Sequence, residues 1–372
     1  MQKTGHLLPT GWLKKIRREK SLKKDIHPIM EPLKNKKEDG GSRKKSVPPW
    51  VKSVVFYLII VILLVIAIFS HWDFFLDVIK SIGEIPLWLF LLVCLNGCLY
   101  RIIDGDQLYR LSRRYQPDLK WGQGVACAFC GAFFQVTTFG NAMGISKVYY
   151  LTRLGIPAAN STGICLIQYI VYRAAIFLYG FTAYLAFPKL RAALGPYRSF
   201  GILGIVICLL TIVVLLIVAT SNQLSALLLR IVRPICKKHP KWLTKLDHAK
   251  EQITLLQTEA ALVFRDKKLT VQLILECLLM QTAWYIIPFL AMRGKGPDLL
   301  TSIALTSVAR MLAGSVPLPS GYGSLDIIFI VLLSDMVETA IAASTMVLFR
   351  FATTFVPFFI GAVIVFVWRK KK

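Results

Sequence analysis

Five ionisable side chains sit inside otherwise apolar stretches of this sequence: Arg173, Glu276, Arg310, Asp326 and Arg350. Two more, Lys147 and Arg153, stand near the ends of theirs. A charge in hydrocarbon costs at least ~2.5–3.5 kcal/mol on insertion scales and by default marks function. Lys147, Arg153 and Asp335 lie where a side chain can extend to lipid head groups. Arg173 and Arg350 are too far from their segment ends for that. They should face a bundle interior, where each needs an anionic partner: Asp326, Glu276 or a lipid phosphate. Arginine outnumbers carboxylate at this depth, and its planar fork grips phosphate with paired hydrogen bonds. A cavity lined by Arg173, Arg310 and Arg350 would therefore favour an anionic head group.

Two breaks in the apolar pattern accompany these charges. The first runs Phe139-Gly140-Asn141-Ala142-Met143-Gly144 and continues to Lys147 and Tyr150. The second holds Pro317, Pro319, Ser320, Gly321, Tyr322 and Gly323 and continues to Asp326 and Phe329. Aligned, they place Gly144 on Gly323 and Lys147 on Asp326, with Arg173 and Arg350 following at nearly the same offset. Backbone groups freed by glycine and proline cannot face lipid unsatisfied, so such breaks are buried in protein or line a watered cavity. Paired breaks at corresponding positions of two halves point to a transporter binding site, and Lys147 and Asp326 are placed to pair as a gate.

Enzyme chemistry has little to work with. His6, His27, His71, His239 and His248 all lie outside the apolar segments, which removes a membrane-embedded Ser-His-Asp triad or histidine metal cluster. Cys127-x-x-Cys130 is a single pair without a nearby histidine and reads as buried apolar packing. No phosphate-cradling G-x-x-x-x-G-K-[ST] loop occurs. The sequence calls for no metal and no cofactor, and an aspartate-based intramembrane reaction is the weakest of the readings.

The elements that must hold these groups are helices in a membrane. The 372 residues are 55% hydrophobic and 17% charged, with a mean hydropathy of +0.59; soluble proteins are nearer 25% charged. Apolar runs of the length that crosses a bilayer, roughly 20 residues, cover 54–69, 87–103, 164–187, 202–219, 269–292 and 345–368. Weaker runs cover 299–316 and 325–342. The first begins too late for a cleaved signal and should remain as a span.

The net charge of +25 is concentrated before Trp50, in the middle segment and at Arg369-Lys370-Lys371-Lys372. Cations of this kind mark the cytoplasmic side, and attraction to anionic lipid accounts for them without nucleic acid. The expected organisation is a basic, disordered tail over 1–50 and a transmembrane domain over 51–368. Its halves, about 51–220 and 269–368, are joined by a basic cytoplasmic segment, 221–268, and residues 369–372 form a basic end. Keeping that segment inside makes 122–144 a re-entrant hairpin. The fold expected is an all-α polytopic bundle of six to eight spans with one or two re-entrant or broken helices and an internal repeat.

Residues 139–155 with the following 158–173 segment, and Pro317-x-Pro319-Ser320-Gly321-Tyr322-Gly323-Ser324-Leu325-Asp326 with Leu348-Phe349-Arg350, resemble the lysylphosphatidylglycerol synthase membrane-domain (flippase-like) family. The resemblance spans about 53–368. Gly140-Asn141 stands where the family has a proline-rich turn, and Asp326 where glutamate is usual. The resemblance implies a domain that moves amphipathic lipids, such as aminoacylated phosphatidylglycerol, between leaflets. Because the sequence ends at Lys372, it also implies no aminoacyl-transferase domain.

The resulting expectation is a lipid transporter of the cell membrane, both termini cytoplasmic, binding anionic lipid through Arg173, Arg310, Arg350, Asp326, Glu276 and Lys147. Gly140, Asn141, Gly144, Pro317, Pro319, Gly321 and Gly323 supply the broken backbone. The alternative is a non-transporting subunit presenting lipid to a partner enzyme through amphipathic stretches in 224–264. A homo-oligomer and a lipid-modifying partner both stay open.

Overall fold

The computed structural model describes residues 72–370, except 139, 141, 194, 196–197, 237–239, 293, 315–322 and 335. The tail over 1–50, the run at 54–69, and Asn141, Pro317, Pro319, Gly321 and Asp335 therefore lie outside the described residues.

The described part is an all-α polytopic bundle. Short α1 (Trp72–Gly83) precedes a long α2 (Leu87–Ser112), then two short helices, α3 (Trp121–Thr137) and α4 (Met143–Arg153), then a long α5 (Ala158–Ala186). A six-residue α6 (Pro188–Ala193) leads to α7 (Arg198–Thr220). Next come α8 (Asn222–Cys236) and α9 (Pro240–Arg265), the basic middle segment. The opening pattern then recurs: long α10 (Lys267–Met292), short α11 (Leu299–Ala313) and α12 (Ser324–Ser334), and a long element made of α13 (Thr339–Arg350), a π-helical turn (Phe351–Phe355) and α14 (Val356–Lys370). The counterparts match in length: α2 and α10 have 26 residues each, and α4 and α12 have 11 each. The internal repeat is thus visible as a repeat of elements, although few residues are shared.

Five helices are long and apolar enough to cross a membrane, at Leu87–Ser112, Ala158–Ala186, Gly201–Thr220, Lys267–Met292 and Thr339–Val367. Their outer faces keep large apolar side chains exposed, among them Leu203, Val206 and Leu210 on α7, as helices facing lipid should. Between helices, lipid supplies no hydrophobic drive, and close backbone approach replaces it. Gly97 shows the geometry: a Cβ there would lie 2.0 Å from the Ala352 carbonyl oxygen, so any side chain would push α2 off the π turn.

Two expected runs change at their ends. The run at 325–342 is not one helix: α12 stops at Ser334 and α13 begins at Thr339. Glu338 falls between them as the residue before α13, and a carboxylate at a helix end can stay hydrated. Conversely, α2 continues past Ile103 to Ser112, carrying Asp104, Asp106 and Arg110. Hydropathy ends the run at the first aspartate, whereas the helix keeps its backbone hydrogen bonds and finds partners for those charges.

Candidate functional site

The α3–α4 turn, the end of α11 and the start of α12 border a cavity of about 830 Å³. Gly140 and Gly144 line it from the α3–α4 turn, and Ala313 and Gly314 from the end of α11. Gly140 has φ 89° and Gly323 has φ 85°, left-handed conformations just before α4 and α12 that suit glycine, which lacks a Cβ. The rest of the wall comes from α2, α5, α10 and the region around the π turn. Both halves contribute.

Four of the sequence-derived charged residues line this cavity together with Gly140 and Gly144: Lys147, Arg173, Arg310 and Arg350. Their partners differ, and the differences carry the chemistry. Lys147 is buried on α4, and its Nζ donates to Asp104 Oδ1 at 3.0 Å and Oδ2 at 2.9 Å, and to Gln168 Oε1 at 3.2 Å. Gln168 Nε2 donates back to Asp104 Oδ1 at 2.8 Å and to its carbonyl at 2.9 Å. Arg101, three residues before Asp104, donates to Gln135 Oε1 at 2.7 Å and stands 3.9 Å from Asp104. Its Nε is buried with no acceptor.

Arg350 forms a two-pronged pair with Asp326, Nε to Oδ1 and Nη2 to Oδ2, each 2.7 Å. Asp326 Oδ2 also accepts the Gly323 N–H at 2.8 Å, closing the first turn of α12. A bidentate fork of this kind is the strong form of the interaction.

Arg173 and Arg310 have no carboxylate within ion-pair distance among the described residues. Arg173 donates from Nε to the Tyr169 hydroxyl at 2.8 Å and lies 3.5 Å from the Gly314 carbonyl. Arg310 donates to the Tyr172 hydroxyl, and its guanidinium carbon lies 3.9 Å from the centroid of the Trp284 ring. Its Nε is buried without a partner. Stacking on tryptophan supports a cation electrostatically but leaves N–H donors unused.

Three expectations are corrected by this geometry. Lys147 and Asp326 do not pair with each other; each takes a partner within its own half, Asp104 and Arg350. Glu276 is not among the cavity-lining residues: it meets Arg110 Nε at 2.8 Å between α10 and α2, so it is not the partner of Arg173. Asp326 is likewise not among the cavity-lining residues; it pairs with Arg350, which is. The reason is reach: each carboxylate is taken by a cation whose side chain extends to it in the folded bundle.

Arg101, Asp104 and Gln168 belong to the site and went unnoticed in the sequence. A signal was present, because Arg101 and Asp104 stand three apart on one helical face, but the span had been closed at Ile103. Cys127 and Cys130 are buried and unpaired in disulfides, Cys127 Sγ lying 3.7 Å from the Lys147 carbonyl.

A comparison with curated proteins gives no match. Residues 50–361 match the family described as the lysylphosphatidylglycerol synthase TM region. That match covers most of the chain and includes every cavity-lining residue named above, so the protein belongs to the lysylphosphatidylglycerol synthase transmembrane-region family.

Proposed function

We propose that the protein is a flippase-like lipid transporter that carries an anionic or modified phospholipid, or another lipid-linked head group, between the leaflets of the cell membrane. The observation that carries this reading is the cavity lined from both halves, where Arg173 and Arg310 stand without carboxylate partners among the described residues. Guanidinium groups in a low-dielectric site call for an anion, and a membrane offers phosphate.

In this reading the short-helix pairs are re-entrant. Eleven residues, the length of α4 and of α12, rise about 16 Å, roughly half the ~30 Å hydrocarbon core. With the basic segments cytoplasmic, the α3–α4 pair enters from inside and the α11–α12 pair from outside, which makes the repeat inverted. Transport is then a rocking of one half against the other around a fixed mid-membrane site. Both termini are cytoplasmic, and the reading assigns no catalysis to the chain.

The test is leaflet exchange of labelled lipids in proteoliposomes holding the purified protein. Exchange faster than in empty vesicles, strongest for anionic lipids, is the expected result; no acceleration across several head groups would overturn the proposal. One observation favours the second reading, a lipid-presenting accessory subunit. On α8 the apolar side chains Leu227 and Ile231 are exposed beside exposed Arg230 and Arg233, a face that could seat a partner enzyme. Inactivity alone combined with stable copurification of such an enzyme would select it.

A further inference from the structure

We infer that the lipid taken by this cavity carries two negative charges on its head group, as a phosphomonoester or a diphosphate does, rather than the single charge of a phosphodiester. The inference rests on the anionic-lipid reading above and narrows it.

The argument is a matter of charge. Among the described residues, five cations line the cavity: Arg101, Lys147, Arg173, Arg310 and Arg350. Two described carboxylates answer them, Asp104 for Lys147 and Asp326 for Arg350. Arg101 has only a distant share of Asp104, at 3.9 Å. Arg173 and Arg310 have none among the described residues.

Uncompensated charge is disfavoured wherever water is scarce. One phosphodiester anion would neutralise one of these groups and leave the others. A phosphomonoester brings ≈ −1.5 to −2 at neutral pH, and a diphosphate joined to a single chain brings at least two charges.

The two unpaired arginines are placed to share such a group. Arg310 is tied to Tyr172, the neighbour of Arg173 in α5, while Arg173 reaches the Gly314 carbonyl one turn beyond Arg310 in α11. The guanidinium groups thus belong to adjoining positions on α5 and α11, which approach so closely that a Cβ on Gly180 would lie 2.6 Å from the Met311 Cβ. The Arg310 guanidinium lies over the Trp284 ring and donates to the Tyr172 hydroxyl, and its Nε still lacks an acceptor. An oxyanion with several oxygens suits that arrangement better than a single contact does.

That the anion comes on a lipid, and not free, follows from the wall. Ile145 on α4 is 71% exposed and Tyr169 on α5 is 40% exposed, and both line the cavity. This side of the cavity offers apolar surface to acyl or isoprenyl chains, which a free anion would not use.

The test measures binding to the full-length protein in detergent, by calorimetry. The probes are short-chain phosphatidic acid, phosphatidylglycerol of the same chain length, farnesyl diphosphate and inorganic diphosphate. The doubly charged lipids should bind at least ~10-fold tighter than phosphatidylglycerol, a difference of the size that one extra charge contributes near a partly screened site. Arg173→Gln and Arg310→Gln should shrink that preference to within about threefold on the same reasoning, while Arg153→Gln, outside the cavity, should leave it unchanged. Equal affinity of the two phospholipids for the unaltered protein overturns the inference and leaves the anionic-lipid reading standing. Absence of binding by every anionic lipid overturns both. Inorganic diphosphate binding as tightly as farnesyl diphosphate overturns the lipid as its source. The ranking on unaltered protein decides the matter even if an arginine variant fails to fold.

Discussion

Arg350 and Asp326 lock the start of α12 to the end of α13 with two parallel hydrogen bonds of 2.7 Å. The same carboxylate caps the Gly323 N–H, so one side chain holds both the turn and the long element behind it. Asp326→Asn removes the charge while keeping the shape. It should lower stability by about 1.5–3 kcal/mol, the worth of hydrogen bonds to a charged group. The unfolding midpoint in detergent measures this, and an unchanged midpoint would show that the pair does not hold the turn.

Lys147 and Asp104 form the corresponding lock in the first half, and both are buried. Removing one partner leaves a buried charge alone, so Asp104→Asn or Lys147→Met should each cost about 3–5 kcal/mol. Asp104→Leu combined with Lys147→Met should recover much of that loss, because a well-packed apolar pair of similar volume is tolerated. If the double variant is as unstable as the sum of the singles, the pair is not coupled as the distances indicate.

Arg173 and Arg310 have no carboxylate partner among the described residues, so their loss should separate activity from stability. Arg173→Gln and Arg310→Gln are expected to slow exchange of anionic lipid at least ~10-fold, the cost of about one charge-assisted contact, with little change in the unfolding midpoint. Leaflet-exchange rates in proteoliposomes provide the check. Equal rates in the variants and the unaltered protein would remove these arginines from the site.

On the other face of α5, a strap joins the first half to the middle segment. The Tyr115 hydroxyl donates to Glu259 Oε1 at 2.5 Å, and Asn160 Nδ2 donates to the same oxygen at 3.3 Å. Gly163 leaves room for it, since a Cβ there would lie 2.1 Å from the Glu259 Cγ. Gly163→Ala should therefore destabilise by about 1–3 kcal/mol, the usual range for overpacking, measurable as loss of thermal stability in detergent.

Burial, and then the bond to Glu259, push the Tyr115 phenol up from 10.0 to about 12. The sign follows from linkage: the folded state holds this proton more tightly than the unfolded state. The contribution is full below pH 10 and is lost as pH rises through about 12. The stability advantage over Tyr115→Phe should accordingly be flat to pH 10 and shrink above it. A difference that grows with pH would contradict the assignment.

Much of the fold was legible because lipid is a severe solvent. Long apolar runs must be helices there: 269–292 falls within two residues of α10 at each end, and 164–187 ends within one residue of α5, which begins six residues earlier at Ala158. The paired glycine breaks with their following charges exposed the repeat, which the structure expresses as matching elements. Hydropathy failed where a helix carries charge inward. It stopped α2 before Asp104, and so hid the partner of Lys147.

The chain's composition and spacing by themselves determined the solvent, the helical class and the break between α3 and α4. These are local properties, set by what hydrocarbon tolerates over one or two helical turns. Which charge answers which was decided only by tertiary packing. Asp326 met Arg350 and not Lys147, Glu276 met Arg110 and not Arg173, and Asp104 came to Lys147 from forty-three residues away. An ion pair needs its atoms within about 4 Å, and no spacing along a chain fixes a distance between helices.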